Sequence, residues 1–145
     1  MNEISVRVVG ANDRALFDRV HDDVFDNAVL EDSLTRFLGD PRHVIALALD
    51  GDLIVGMCSA FEYFHPDKPP QLFLNELGVA APYRRRGLGR RLTAAILKEA
   101  RRRGCAGAWV GTETDNVAAR RLFEGVETPD DAQNFVLYEW ALEQR

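Results

Sequence analysis

Residues 72–89 read LFLNELGVAAPYRRRGLG, and this stretch decides the fold prediction. Its first part, residues 72–79, is mostly apolar, which predicts a β-strand. Its second part places two glycines and three arginines where a loop enters a helix predicted over residues 88–103. A short apolar run follows at residues 108–112, so the stretch and its continuation predict a β-α-β unit.

The loop between strand and helix has the composition of an anion site. Gly87 and Gly89 lack side chains, so their backbone N–H groups can approach a diphosphate closely, and the helix N-terminus adds the positive end of its dipole. Arginines can contact further phosphate oxygens; they are Arg84, Arg85, Arg86, Arg90 and Arg91. The spacing is neither that of a Walker loop nor that of the dinucleotide Gly-x-Gly-x-x-Gly pattern. A plain turn, a solvated basic face and a nucleic-acid site are the competing interpretations.

The charge distribution separates this loop from the rest of the chain. Residues 81–105 carry nine basic residues and one acidic residue, whereas the chain as a whole has a net charge of −5. The rest of the chain has 22 acidic and nine basic residues. An anionic ligand at the basic segment and a cationic ligand elsewhere are the partners that this distribution favours.

The overall composition predicts an ordinary globular chain of one domain, residues 1–145. No apolar run approaches the roughly 18 residues needed to span a bilayer, and the N-terminus does not look like a signal peptide, so we expect a cytoplasmic protein without membrane partners. Cys58 and Cys105 are expected as reduced core residues. His21, His43 and His65 lack metal-ligand spacing, so no metal is expected.

The flanking segments complete an α/β prediction. We expect strands at residues 4–8, 44–49, 53–64 and 135–142, with a hairpin turn at Asp50-Gly51-Asp52. Amphipathic helices are predicted after Asn12 or Asp13, through Leu16, Phe17, Val20 and Val24, and again at residues 30–38. A further helix should run from an Asn116 cap to about Glu124.

The loop Arg84-Arg85-Arg86-Gly87-Leu88-Gly89 resembles the acetyl-CoA motif Arg/Gln-x-x-Gly-x-Gly/Ala of the GCN5-related N-acetyltransferase (GNAT) superfamily. Residues 116–123 look like its second motif. The resemblance implies a mixed, mostly antiparallel sheet flanked by about four helices, with central strands that splay apart near Val79 and Thr112 to admit acetyl-CoA. The cofactor-binding residues that it implies are Leu77, Gly78, Val79, Arg84, Arg85, Arg86, Gly87, Leu88, Gly89, Arg90, Asn116 and Phe123.

A narrower resemblance concerns the acceptor. Residues 24–29, 65–69, 75–79 and 111–116 are similar to the type I aminoglycoside 3-N-acetyltransferases, which implies an aminoglycoside acceptor and a role in antibiotic resistance. The acidic balance outside the basic segment is compatible with such a polycation. The substrate-binding residues expected on this basis are Asp26, Glu76, Glu113 and Asp115.

The acceptor amine must lose a proton before it attacks a thioester, so the site needs a base. Glu76 is the first candidate, because it stands in an otherwise apolar run where burial favours a neutral carboxyl; a rim carboxylate that binds the acceptor is the alternative. Glu113 is the second catalytic candidate and is expected mainly to bind the acceptor. The Val79 N–H could stabilise the oxyanion. Phe123 stands where many superfamily members have a tyrosine, so Tyr138, Tyr83, water or unassisted departure of the thiolate remain open.

Other functions stay open at this stage. A peptide α-amine, a lysine or a polyamine could be the acceptor, and the arginine run could instead belong to an acyl-CoA-binding or nucleic-acid-binding module. The sequence leaves the acceptor and its regiochemistry unassigned. A homodimer through the terminal strand is a further expectation, and no nucleic-acid partner is expected.

Overall fold

The computed structural model describes residues 3–143 and shows one five-stranded sheet in the order β1-β2-β3-β4-β5. The strands are β1 (Ile4–Val9), β2 (His43–Asp50), β3 (Leu53–His65), β4 (Lys68–Val79) and β5 (Gly107–Trp109). The α-helices are α1 (Glu31–Gly39), α2 (Leu88–Arg102) and α3 (Val117–Val126). Two 3₁₀ helices cover Ala11–Asp18 and Ala81–Tyr83.

The sheet is mixed and mostly antiparallel, which confirms the predicted fold class. Strands β1 to β4 are antiparallel neighbours, and β5 lies parallel to β4. Helix α2 makes the crossover between those two parallel strands. The predicted β-α-β unit is therefore present, although β5 ends at Trp109 and is shorter than expected.

Apolar side chains on the two faces of the sheet form two cores. One core packs α2 on the sheet through residues such as Leu72, Leu92 and Ile96, each with an exposed fraction of 0%. The other core lies under the N-terminal segments and contains Leu47, Ile54 and Val24. Alternation along β2 explains the division, because successive side chains of a strand point to opposite faces.

Two expectations about helix and strand bounds need correction. The helix predicted through Leu16, Phe17 and Val20 is only the 3₁₀ helix Ala11–Asp18, and Val20 instead forms an isolated bridge with Ile54. The apolar residues still face the core, since burial fixes their direction whatever the local backbone. The strand predicted at residues 72–79 starts earlier than expected, because β4 already begins at Lys68.

The strand predicted at residues 135–142 is wrong. Residues after Glu127 have neither helical nor strand structure as far as residue 143. Their large apolar side chains are exposed: Phe135, Val136, Leu137, Tyr138, Trp140 and Leu142. A strand is stabilised by cross-strand pairs, and in the described part of the chain this segment pairs with none of the five strands, although Phe135 lies against Gly111.

The structure bears on two expectations drawn from composition, the state of the cysteines and the presence of a membrane-spanning helix. Cys58 and Cys105 are both free thiols, and burial raises the pKa of Cys58 to about 12, so this thiol stays protonated at neutral pH. Within residues 3–143 no helix combines the length and apolarity needed to cross a membrane.

A charged cluster at the C-terminal end of α2 holds three elements together. Arg103 donates to Glu62 Oε1 of β3 at 3.1 Å and to the carbonyl oxygen of Pro41 at 2.6 Å. It also pairs with Glu99, and the hydrogen bond from Arg102, helped by Arg103, lowers the pKa of the Glu99 carboxyl. The lowered value means that this contribution to stability is present at neutral pH and is lost as the pH falls through the folded-state pKa, below the ordinary 4.5.

We expect Arg103→Leu to lower the free energy of unfolding by about 3 kcal/mol. The change would leave the largely buried carboxylate of Glu62 without its ion-pair partner. Arg101→Leu is the matched control, since Arg101 forms an exposed pair with Glu127 that should contribute at most about 1 kcal/mol. Urea denaturation of both variants measures the difference. Equal free energies of unfolding for the two variants would show that the Arg103 cluster stabilises the fold no more than the exposed Arg101–Glu127 pair does.

Candidate functional site

The central sheet opens between β4 and β5. The ladder of these strands ends at the Phe73–Trp109 pair, although β4 continues to Val79. Ala80 N–H donates to the Val55 carbonyl at 2.8 Å, so residue 80 points its N–H toward β3. Because backbone groups alternate along a strand, Leu77 and Val79 point theirs toward the open edge. The Leu77 and Val79 N–H groups are thus directed to the side of β4 where the resemblance implied an opening, while the Val79 carbonyl accepts from Arg84.

The loop that follows β4 has an unusual backbone. Arg85 and Gly87 both have positive φ, 63° and 75°. Gly87 is the N-cap residue of α2, and a side chain added there would meet no atom within 4 Å, so the space above it is open. Left-handed residues direct consecutive N–H groups into a concave nest, and the helix N-terminus adds its partial positive charge. The loop has the geometry of an anion site.

The arginines of this segment have separate positions. Arg84 Nε donates to the Val79 carbonyl at 2.9 Å, and Arg86 lies 5.3 Å from the centre of the Tyr83 ring. Arg90 packs over Gly125 of α3, and Arg91 donates to the Ile4 carbonyl of β1 at 3.0 Å. Contrary to expectation, Arg91 therefore joins α2 to β1 and does not extend the anion site. Arg84, Arg85 and Arg86 are exposed around the loop.

Two carboxylates that are distant in sequence hold this loop, one from the N-terminal segment and one from β2. Asp23 Oδ2 accepts from the Ala81 N–H at 2.8 Å, and this hydrogen bond lowers the pKa of Asp23. The Tyr83 hydroxyl donates to Asp50 Oδ2 at 2.6 Å, which raises the pKa of Tyr83. Asp50 Oδ1 is buried and has no hydrogen-bond partner among residues 3–143. Because its proton is engaged with Asp50, Tyr83 is a poor general acid, although the sequence left that role open.

Asp23 and Asp50 were missed as loop-positioning residues. They precede Ala81 and Tyr83 by 58 and 33 residues, and only the fold brings them together. No local motif marks such a pair, since an acidic residue in a turn is ordinary by itself.

Gly78 and Gly89 permit two close approaches at the site. A Cβ at Gly78 would lie 2.2 Å from the Val24 carbonyl oxygen, so the segment after the first 3₁₀ helix crosses directly over β4. A Cβ at Gly89 would lie 2.5 Å from a methyl group of Leu122 in α3. The second glycine of the loop is thus also needed for helix packing, a requirement that the motif alone does not reveal.

Glu76 lies on the sheet face that Val24 crosses. It pairs with Ser59 in the β3–β4 register and shares a face with Gly78, because side chains two residues apart on a strand point the same way. Its side chain is exposed, so the burial expected from the apolar run is wrong. The physical reason is that Glu76 faces the side of the sheet that α2 leaves open at this end of β4. Leu77 and Val79 face α2 instead.

The segment after β5 carries further residues that the sequence assigned to the site. Hydrogen bonds from its own backbone N–H and from the Thr112 hydroxyl lower the pKa of Glu113, which keeps this exposed carboxylate ionised. Asn116 caps α3 by accepting from the Ala119 N–H at 3.0 Å. Phe123 is half-buried on α3, and Asp115 and Asp26 are exposed. The Asn116 side chain therefore has a structural role as the N-cap of α3, in addition to any ligand contact.

The described residues contain no group of three or more His, Cys, Asp or Glu side chains placed to hold a metal ion. The chemistry that the geometry supports is anion binding at the loop 84–89, with carboxylates on the neighbouring face.

The chain is similar to proteins of a known family. A family described as Acetyltransferase (GNAT) family matches residues 12–125, which is more than half of the chain. The mycothiol acetyltransferase of Saccharopolyspora erythraea is 36% identical over 88 residues. That match covers 61% of this chain but only 28% of the relative, so the chain spans less than a third of that protein.

Solved structures share the fold at low sequence identity. An aminoglycoside acetyltransferase, meta-AAC0020 from an uncultured soil metagenomic sample, superposes with a TM-score of 0.79 at 16% identity over 97% of both chains, and it has been solved with sisomicin. AAC(6')-Iy in complex with a bisubstrate analogue of CoA and acetylneamine has a TM-score of 0.75 at 15% identity, covering 97% of this chain and 99% of the other.

Proposed function

The chain belongs to the acetyltransferase (GNAT) family, and we propose that it is an acyltransferase enzyme that moves an acetyl group from acetyl-CoA to an amino group of a small cationic acceptor. The observation that carries this proposal is the open β4 edge at residues 77–79 beside the left-handed Gly87 cap of α2. An extended ligand arm can pair with such an edge, as an added strand does, while its phosphates meet the loop.

The residues present fit this co-substrate. The Leu77–Val79 backbone faces the opening, and the N–H groups around Gly87 face open space. Arg84, Arg85 and Arg86 are exposed at the loop and carry charge that diphosphate oxygens can pair with. Asn116, the N-cap of α3, and Phe123 on that helix are the further residues that we propose to contact the co-substrate. When bound, acetyl-CoA supplies the acetyl group as an activated thioester.

The chain's own groups would then handle the acceptor and its proton. Glu76 accepts a proton from the acceptor ammonium, directly or through water, so that the nitrogen lone pair can form the N–C bond as the C–S bond of the thioester breaks. The Val79 N–H, which points to the open edge, is the proposed donor to the developing oxyanion. Glu113 holds the cationic acceptor, because its lowered pKa keeps it charged.

We extend the proposal to an aminoglycoside acceptor acetylated at its 3-amino group. The support is four exposed carboxylates and the fold shared with aminoglycoside acetyltransferases; the carboxylates are Asp26, Glu76, Glu113 and Asp115. A role in antibiotic resistance would follow from that acceptor. A homodimer, an exclusion of nucleic acid and a cytoplasmic location also remain proposals.

A panel of amines assayed by release of free CoA tests the acceptor. We expect gentamicin-like aminoglycosides to react faster than linear polyamines, and both to react faster than peptide N-termini. Rates for aminoglycosides should fall as salt rises, because long-range attraction is screened. Turnover of peptides alone would overturn the aminoglycoside acceptor and leave the acetyltransferase activity standing.

Tyr83→Phe tests the anchor of the phosphate loop. Loss of the hydroxyl removes its hydrogen bond to Asp50, and a bond to a charged group contributes about 1.5–3 kcal/mol. We expect the KM for acetyl-CoA to rise about tenfold or more, with kcat nearly unchanged. Tyr138→Phe is the control, since Tyr138 is 72% exposed. Equal KM values for the two variants would show that the anchor does not position the loop.

A further inference from the structure

A row of aromatic rings crosses the sheet on the face that carries Glu76. His43, Phe61, Phe73 and Trp109 occupy paired positions on β2, β3, β4 and β5. The ring centres of Phe61 and Phe73 are 5.3 Å apart, and those of Phe73 and Trp109 are 4.3 Å apart. At the other end the ring centres of Phe37 in α1 and His43 are 5.2 Å apart. Phe61 and Phe73 are half-buried within the row, whereas His43 and Trp109 at its two ends are exposed.

The outer end of the row is oriented in advance. Trp109 is 47% exposed, and its Nε1–H donates to the Tyr63 hydroxyl at 2.6 Å. Tyr63 in turn donates to Gln71 Oε1 at 3.4 Å, which leaves the Gln71 amide N–H groups for another acceptor. An indole held in this way presents a fixed face at little entropic cost. We call Phe61, Phe73 and Trp109 the aromatic shelf.

The aromatic shelf and Glu76 belong to one surface. Phe73 pairs with Phe61, and Glu76 pairs with Ser59, two residues earlier on β3. Both lie on the same face because of the irregularity beside Asn75. Three residues of strand separate Phe73 from Glu76, a distance of roughly 10 Å. A ligand ring on the shelf would thus lie one sugar unit away from the base.

The chemical groups on this surface indicate which class of ligand it binds. Aromatic faces carry partial negative charge and attract ammonium groups and polarised C–H groups. Tyr63 and Gln71 offer hydrogen bonds at the edge of the shelf, which suits hydroxyl groups around a ring with an apolar face. Glu113 and Asp115 follow β5 and add charge complementary to further ammonium groups. An aminosugar combines all three properties, whereas a linear polyamine lacks the ring.

We propose that the aromatic shelf is a binding subsite for the aminosugar ring next to the ring that carries the reacting amine. The subsite rests on the proposed function only for the position of the reacting nitrogen at Glu76; binding to the shelf can be measured without turnover. Phe61, Phe73 and Trp109 would accordingly determine specificity for ring-bearing acceptors.

Tryptophan fluorescence tests binding directly, because the chain has two tryptophans. Trp140→Phe leaves Trp109 as the reporter, and Trp140 is 77% exposed in the C-terminal segment. We expect gentamicin, added without acetyl-CoA, to change the Trp109 emission saturably, and spermidine to leave it unchanged. Trp109→Phe, which keeps Trp140 as the reporter, should show no saturable change. Unchanged emission in the Trp140→Phe protein would overturn the subsite.

Steady-state kinetics test the subsite and the proposed function independently of each other. We expect Trp109→Ala to raise the KM for gentamicin at least tenfold and to leave the KM for acetyl-CoA and the rate with spermidine unchanged. Trp109→Phe should restore most of the affinity, since it keeps a ring on the shelf. Acetylation of gentamicin with an unchanged KM in Trp109→Ala rejects the subsite alone. Saturable emission without acetylation of any amine rejects the proposed function and leaves the subsite as an aminosugar site.

Discussion

Gly87→Val is expected to lower the affinity for acetyl-CoA by about 100-fold or more while the fold persists. Gly87 has φ 75°, a conformation that a β-branched residue adopts only with strain. The loop would relieve the strain by rotating its backbone, which turns the N–H groups away from the phosphates. Two lost hydrogen bonds to a charged ligand, at about 1.5–3 kcal/mol each, account for the expected change. Isothermal titration calorimetry measures it.

Gly104→Val is the matched control for this prediction. Gly104 ends the same helix with nearly the same φ, 76°, and a side chain added there also meets open space. The two variants should therefore lose similar stability, about 1–2 kcal/mol, but only Gly87→Val should lose acetyl-CoA. An unchanged CoA affinity in Gly87→Val would remove the loop from the site.

Glu76→Gln is expected to lower kcat by about 100- to 10,000-fold, the range typical of a lost general base. The amide keeps the shape of the side chain but cannot accept the proton of the acceptor ammonium. Affinity for acetyl-CoA should change little, because Glu76 faces the side of the sheet that Val24 crosses and not the loop. Rates of CoA release at several pH values, with titration of acetyl-CoA, measure both effects.

Glu113→Gln provides the contrasting result. The hydrogen bonds from its own backbone N–H and from Thr112 lower its pKa, so Glu113 is charged throughout the neutral range and suits binding of a cation more than proton transfer. We expect a higher KM for the acceptor with a nearly normal kcat. Near-normal turnover in Glu76→Gln across the pH range would identify Glu76 as a rim group and not the base.

Much of the fold could be predicted because its elements have strong local patterns. Alternation in β1, the continuous apolar run of β2 and the glycine turn at residue 51 specify strands and a hairpin through short-range patterns. The left-handed Gly87 and the helix after it follow equally from local conformational preference. The first helix was predicted less well, because burial of Leu16 and Phe17 is compatible with either an α-helix or a 3₁₀ helix.

Long-range contacts were beyond the reach of such patterns. The expected phosphate role of Arg91 disregarded the Ile4 carbonyl, which only the packing of α2 on β1 brings near. The exposure of Glu76 depends on a strand irregularity beside Asn75 that changes which face each side chain takes. The strand expected at residues 135–142 had the right alternation but lacks a paired neighbour.

The sequence by itself determined the strand-loop-helix unit at residues 72–103, because glycine, arginine and apolar spacing act within a few residues. Only the tertiary structure decided which arginines remain at the loop, which carboxylates anchor it, and that Phe61, Phe73 and Trp109 share a face with Glu76. Those properties depend on strand register and helix packing. Both are set by the burial of side chains distant in sequence, so no local spacing encodes them.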